Sequence, residues 1–187
     1  GCRDTADMDM DADCGFGCGC ADPQDKMRRW IKNCGLIETN TRIYPVGRLD
    51  YDTTGALILT NDGNLANLLM RPDSQVDKTY IAKVKGIVQI PDIQKLRNGI
   101  IIDGVKTKKA SVRLKSVDKK KETSTVVLTI HEGKNHQIKK MFESLGYKVI
   151  KLRREKIAFL DLKGLMPGEY RNLSIKEVKV LYSLCKK

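Results

Sequence analysis

The alternation of hydrophobic and polar residues predicts short strands and amphipathic helices from residue 42 onward. Residues 56–60 form an apolar run that fits a buried strand, and the Asn-Asp-Gly turn after them predicts a helix capped by Asp62 and running to Met70. Residues 78–85 alternate strictly, which predicts a strand with one face formed by Tyr80, Ala82 and Val84.

Further elements with clear signals follow toward the carboxyl end. They are a helix opened by Pro91 and ending near Asn98, a hairpin of strands 111–117 and 123–130, a helix from Asn135 closed by Gly146, strands 147–153 and 157–162, and a helix opened by the Ser174–Glu177 capping box and running to Leu184. Hairpins outnumber strand–helix–strand crossovers. We therefore expect an α/β (α+β) fold with a mixed, mostly antiparallel sheet flanked by helices.

Charge separates an acidic leader from a basic body. Residues 1–25 carry a net charge of −6 and show no helical or strand period, whereas residues 26–187 carry +18 and form one domain by length. A field of that sign attracts polyanions, with nucleic acid the first candidate and an anionic membrane the second; a lysine-rich solvated surface explains the charge equally well. No apolar run reaches membrane-spanning length and no signal peptide precedes the body, so we expect a cytoplasmic protein.

Cysteine is concentrated near the amino end, at Cys2, Cys14, Cys18, Cys20 and Cys34. Thiolate metal ligation is one interpretation of this cluster, but no second Cys pair or nearby His pair completes a zinc spacing. Free thiols in an irregular leader are favoured, and we expect no metal site.

Two segments combine the residue types that chemistry requires. Residues 47–55 form a polar, glycine-bounded loop directly before a buried strand, and residues 131–140 run from a strand through a turn into a basic helix. A carboxylate held near a lysine in a basic groove stays ionised and can act as a nucleophile or a base. Composition alone does not show whether Asp50 and Lys139 meet.

The segment YPVGRLDYDTTGALILTNDG, residues 44–63, closely resembles the signature of RsuA/RluB-type ribosomal RNA pseudouridine synthases. Later segments agree in the same order: KTY at 78–80, HEGKNHQIKKM at 131–141, VIKLRR at 149–154 and PGEYRNLS at 167–174. The agreement of ordered segments across most of the chain is a far more specific signal than Gly-Arg-Leu-Asp alone.

The resemblance implies a pseudouridine synthase fold with two lobes around a cleft. It also implies isomerisation of a uridine in ribosomal RNA: the bond from C1′ to N1 breaks, the base turns, and C1′ bonds to C5. No atoms are gained and no redox change occurs, so no cofactor is expected. Ribosomal RNA is the expected partner, and a monomer is the default oligomeric state.

Residue by residue, the resemblance makes Asp50 the catalytic aspartate and assigns substrate contacts to Arg48, Tyr80, Lys139 and Leu152. Tyr80 would stack on the everted base, Lys139 would pair with the aspartate where many relatives have arginine, Arg48 would hold phosphate or the vacated space, and Leu152 would wall the pocket. Each has a plainer interpretation: a turn carboxylate, a core aromatic, a solvated lysine and a core leucine.

Most members of that family also carry a small amino-terminal S4 RNA-binding domain. Nothing before residue 26 has the basic helical character of such a domain, so we expect none in this chain. Two other functions compete with catalysis: a noncatalytic RNA-binding or ribosome-assembly module on the same fold, and a metal-binding interaction protein built on the amino-terminal cysteines.

Overall fold

The computed structural model describes residues 37, 40–71, 74 and 76–185. The leader, the division predicted at residue 25 and the five clustered cysteines lie outside these residues. The described elements, in chain order, are β1 (Tyr44–Val46), β2 (Thr53–Gly55), β3 (Ile58–Thr60), α1 (Gly63–Met70), β4 (Lys78–Lys85), α2 (Ile90–Asn98), β5 (Ile101–Ile102), β6 (Val105–Lys106), β7 (Ser111–Asp118), β8 (Thr123–Ile130), α3 (Gln137–Glu143), β9 (Lys148–Ile157), β10 (Leu160–Asp161) and α4 (Ile175–Cys185).

One sheet of six strands organises these elements. Its order is β7-β8-β4-β9, and both β2 and β10 pair with the free edge of β9. Only the pairing of β2 with β9 is parallel; the other pairings in this sheet are antiparallel. The mixed, mostly antiparallel sheet predicted from the hairpins is therefore confirmed.

Among the residues that the structure describes, the buried hydrophobic side chains form two clusters. In the first, one face of the sheet packs against α2 and α3, and its largest fully buried side chains include Leu96, Leu128, Met141 and Phe142. The second contains β1, β3, α1 and α4, with Val46, Ile58, Leu69 and Leu181 among its residues. Strand β9 joins the two, because Leu152 lies in the first cluster and Ile157 in the second.

Local signals that are complete within a few residues predicted their elements correctly. The Asp62 carboxylate accepts hydrogen bonds from the backbone N–H of Asn64 and Leu65 at 3.0 and 3.1 Å, which starts α1 where predicted. The capping box is reciprocal: Ser174 N donates to the Glu177 carboxylate at 2.8 Å, and Glu177 N donates to Ser174 Oγ at 3.3 Å. Strand β4 and the hairpin of β7 and β8 also form as predicted.

Three boundaries differ from the prediction. Residues 147–162 were expected as two strands broken near Arg153, but β9 continues through the charged stretch to Ile157, and β10 has only two residues. The helix expected from Asn135 begins at Gln137, because His136 has a left-handed backbone with φ 51°. The apolar run at 56–60 is a strand only from Ile58, since Ala56 N bonds instead to the carbonyl of Arg154.

Some short elements carried no clear signal in the sequence. Strand β1 contains Pro45, and the hairpin of β5 and β6 has only two residues in each strand. No helix in the described part of the chain is long and apolar enough to cross a membrane.

Candidate active site

The loop that carries Asp50 connects β1 to β2. It leaves the second cluster after Val46 and turns tightly, with Thr53 N donating to the Asp50 carbonyl at 2.9 Å. The Asp50 side chain remains 27% exposed. The loop therefore presents a partly accessible carboxylate from a support that is fixed at both ends.

Lys139 meets this carboxylate from the opposite cluster. Its Nζ lies 3.6 Å from Asp50 Oδ2, and the side chain is only 14% exposed. The neighbouring residues Ile138, Met141 and Phe142 are buried in the first cluster and hold α3 in place. The Asp50–Lys139 contact thus joins residues from the two halves of the molecule.

Asp52 shares the same lysine. Lys139 Nζ donates a hydrogen bond to Asp52 Oδ1, and this bond is the main reason that the pKa of Asp52 lies below its ordinary value. Partial burial acts in the opposite direction on that pKa, but more weakly. Asp52 is far more exposed than Asp50, so only Asp50 combines the lysine contact with partial shielding from solvent.

Arg154 forms hydrogen bonds with both ends of the Asp50 loop. Its Nε donates to the carbonyl of Ala56 at 2.7 Å and its Nη1 donates to the carbonyl of Arg48 at 3.3 Å. The side chain is 4% exposed and forms no ion pair within the described residues, where its Nη2 has no hydrogen-bond partner. One rigid guanidinium therefore sets the distance between the residues on either side of Asp50.

The backbone of β9 fixes the same loop through Gly55. Strand β2 pairs in parallel with β9, and Gly55 lies opposite Arg154 with φ 117°. A Cβ atom at this glycine would lie 2.2 Å from the Arg154 carbonyl oxygen, so a larger residue does not fit. The close approach explains why glycine follows the two threonines of β2.

The remaining predicted site residues connect to this loop through β9. Leu152 lies opposite Thr53 and is 5% exposed within the first cluster, and Tyr80 lies opposite Arg154 and is half-buried against that cluster. The Arg48 side chain is exposed, and its carbonyl accepts from Arg154. The structure therefore places Asp50 in direct contact with Lys139 and places Tyr80, Leu152 and Arg48 at its supports.

The structure brings into the site two residues that were not among the predicted site residues. His136 Nδ1 lies 3.9 Å from Asp50 Oδ2, and Arg154 supports the loop as described above. Both lie inside segments that resemble the synthase motifs. Their position within those segments was the signal in the sequence that could have identified them. The other histidine, His131, pairs with Asp77 instead.

Hydrogen bonds to Glu132 hold the turn that precedes α3. The Gln137 side chain, which is buried, donates to Glu132 Oε1 at 2.6 Å, and the same oxygen accepts from Lys108 N at 2.9 Å. These bonds fix the turn that leads from β8 into the helix of Lys139. Within residues 40–71, 74 and 76–185, no group of three His, Cys, Asp or Glu side chains is arranged to hold a metal ion.

Comparison with known proteins gives a consistent result. A family model described as RNA pseudouridylate synthase matches residues 10–144. Ribosomal large subunit pseudouridine synthase B of Bacillus subtilis is 56% identical over 143 residues, which are 76% of this chain and 59% of that protein. Ribosomal small subunit pseudouridine synthase A of Vibrio cholerae is 39% identical over 149 residues, 79% of this chain and 63% of that protein.

A solved structure supports the same relationship. A crystal structure of a pseudouridylate synthase superposes with a TM-score of 0.69 and 34% sequence identity, covering 78% of this chain and 63% of that one. The chain spans about three fifths of the length of the curated relatives named above.

Proposed function

Because the chain belongs to the RNA pseudouridylate synthase family, we propose that it isomerises a specific uridine of ribosomal RNA to pseudouridine. In this reaction the bond from C1′ to N1 breaks and a bond from C1′ to C5 forms, while the proton on C5 is lost and N1 gains one. The product has the same atoms as the substrate. The reaction itself therefore requires no oxidant, reductant or group donor.

The contact between Asp50 Oδ2 and Lys139 Nζ is the observation that carries this proposal. A carboxylate beside an ammonium group and partly screened from water is suited to covalent catalysis or to proton abstraction. Attack on the sugar, attack on the base and removal of a sugar proton all begin from this position. In each route Asp50 is the catalytic residue, and Lys139 stabilises and orients its carboxylate.

The residues next to the Asp50 loop supply the proposed contacts with the substrate. A target uridine inside RNA must leave its stack, at a cost of a few kcal/mol, before Asp50 can reach it. The Tyr80 ring would stack on the everted base, a contact worth roughly 1 to 3 kcal/mol. The exposed Arg48 would bind phosphate or fill the vacated space, and Leu152 would support the pocket from the first cluster.

The experiment compares two carboxylates that share one lysine. We expect Asp50→Asn to abolish tritium release from ribosomal RNA labelled at uridine C5, while folding and RNA binding are retained. Asp52→Asn is the matched control, because it removes the same charge from the same lysine, and it should retain turnover. Turnover by the Asp50→Asn protein would overturn the proposal.

A noncatalytic RNA-binding module is the competing function. The intact Asp50–Lys139 pair favours the enzyme, since binding alone does not require a carboxylate in a basic site. Mapping pseudouridine in ribosomal RNA from cells that lack the protein would identify the target position. The proposal also places the protein in the cytoplasm with its RNA substrate, acting as a monomer.

A further inference from the structure

The main sheet has a second face that no described element covers. Alternate residues of β4, β8 and β9, such as Ala82, Leu128 and Leu152, point into the first cluster. The residues between them point to the opposite side of the sheet. We call this side the outer face and define it by its six basic side chains: Lys83, Lys85, Arg113, Lys148, Lys151 and Arg153.

The strand register concentrates positive charge on the outer face. Lys83 lies directly opposite Lys151, and Lys85 lies directly opposite Lys148. None of these four lysines has a carboxylate within ion-pair distance in the part of the chain that the structure describes. Like charges placed directly opposite each other destabilise a sheet, so folding alone does not favour this arrangement.

Acidic residues reduce this charge only at the margins. Glu155 pairs with Arg153, and Asp118 lies at the hairpin turn, where its carboxylate accepts from Lys121 N. A shallow depression beside Lys83 is lined by Ser116, Thr123 and Thr125 and by four residues at that turn, namely Val117, Asp118, Lys119 and Lys120. Ammonium groups and hydroxyl groups are the donors that contact phosphate oxygens in nucleic-acid complexes.

The outer face extends to β2, the strand that follows the Asp50 loop. Thr54 follows the Asp50 loop and lies opposite Arg153, in the same row of the sheet as Ile81. Thr54 is exposed, and it stands at the edge where β2 joins β9. An RNA strand bound at the Asp50 loop would therefore pass around this edge of the sheet to contact the basic surface.

We propose that the outer face binds the phosphate backbone of RNA that extends beyond the target uridine. This inference rests on the proposed function for the identity of its ligand and adds a second contact region to it. RNA is favoured over an anionic membrane because the central apolar residues, Ile81 and Val127, are half-buried between the basic rows. A membrane surface would require apolar side chains that protrude.

The test neutralises one lysine pair and compares it with a matched pair elsewhere. The variant is Lys83→Gln/Lys151→Gln in the full chain, and the control is Lys176→Gln/Lys179→Gln on the exposed side of α4. Binding of a short RNA duplex is measured by fluorescence anisotropy across a salt series. Tritium release is measured in parallel on a long ribosomal RNA fragment and on a minimal hairpin.

We expect the sheet variant to bind the duplex roughly tenfold more weakly at low salt, with a salt slope smaller by about 0.9 for each lysine removed. The control should leave both quantities unchanged. On the long fragment the KM of the sheet variant should rise while kcat stays constant, and its melting temperature should not fall, because a repulsive pair has been removed.

Phosphatidylglycerol vesicles are tested in the same binding assay. Equal duplex binding by the two double variants, with or without a loss of vesicle binding by the sheet variant, would overturn the inference. Failure of the proposed function has a different signature. A protein that is not a synthase would release no tritium in any variant, yet the two double variants would still differ in duplex binding if the outer face binds RNA.

Discussion

Lys139 lies between two carboxylates, with its Nζ 3.6 Å from Asp50 Oδ2 and hydrogen-bonded to Asp52 Oδ1. The lysine is largely shielded from solvent, whereas Asp52 is mostly exposed. RNA phosphates that approach the exposed side therefore compete with Asp52 more readily than with Asp50. Displacement of Asp52 by a phosphate would leave Lys139 bound to that phosphate and to Asp50, the proposed catalytic carboxylate.

Substitution of Lys139 tests the role of this charge. We expect Lys139→Met to lower kcat about 100- to 1000-fold, the range found when a preorganised electrostatic group is removed from an active site. Lys139→Arg should retain most activity, because the positive charge and a donor remain. Single-turnover tritium release measures the effect, and near-normal kcat in Lys139→Met would contradict the assignment.

Arg154 is expected to position the Asp50 loop rather than to touch substrate. Arg154→Lys keeps the charge but cannot span the carbonyls of Arg48 and Ala56, so one buried hydrogen bond is lost and its acceptor is left unpaired. We expect a loss of about 1 to 3 kcal/mol in the free energy of unfolding, measured with urea.

The same variant separates a positioning role from a purely structural one. Below its denaturation midpoint, the folded Arg154→Lys protein should bind RNA normally but show a reduced kcat, because Asp50 is displaced relative to Lys139. A folded variant with unchanged kcat would show that Arg154 serves stability alone.

Gly55 provides a sharper test of the loop support. A Cβ at this position meets the Arg154 carbonyl oxygen, and the positive φ adds strain, so Gly55→Ala should cost at least about 3 kcal/mol in the free energy of unfolding. Gly63→Ala is the control, because that glycine begins α1 with no atom near its Cβ position. We expect it to be neutral or to stabilise by up to about 1 kcal/mol, as measured by urea unfolding.

Acid stability is predicted to depend on Glu177. Two hydrogen bonds from the Arg171 guanidinium, together with one from the backbone N–H of Ser174, lower the pKa of this carboxylate from 4.5 to about 2. Because the pKa is lower in the folded state, the stabilisation is fully present above about pH 4.5 and is lost as the pH falls toward 2.

The melting temperature of Glu177→Gln should therefore lie below that of the parent protein at neutral pH. The two values should converge as the solution is acidified through this range. Glu143→Gln, on the exposed side of α3, is the control and should show no such convergence. A constant difference between Glu177→Gln and the parent at every pH would argue against the ion pair as its source.

The fold was predictable where the controlling interactions are local. The Asp62 cap, the Ser174–Glu177 box and the alternation of 78–85 each lie within a few residues, and each element formed as expected. The prediction was wrong at 154–156, because pairing with β4 and β2 keeps a charged stretch extended. A pattern of hydrophobic positions does not contain that information.

The candidate site was likewise only partly predictable from the sequence. Motif resemblance selected Asp50 and Lys139, but their contact depends on how α3 packs against the sheet. Arg154 carried no site signal of its own, because it acts through two carbonyl groups that are distant in sequence. Such backbone contacts leave no trace in residue type, except at Gly55, where only the smallest residue fits.

The parallel pairing of β2 with β9 has a consequence for biosynthesis. The bond from Arg154 to Ala56 spans 98 residues, so the loop acquires its support only after most of the domain has been translated. Long-range strand pairing of this kind forms late, since the chain must first close a large loop. A nascent chain that has exposed the Asp50 loop but not β9 would therefore lack the Arg154 and Gly55 contacts that hold this loop in place.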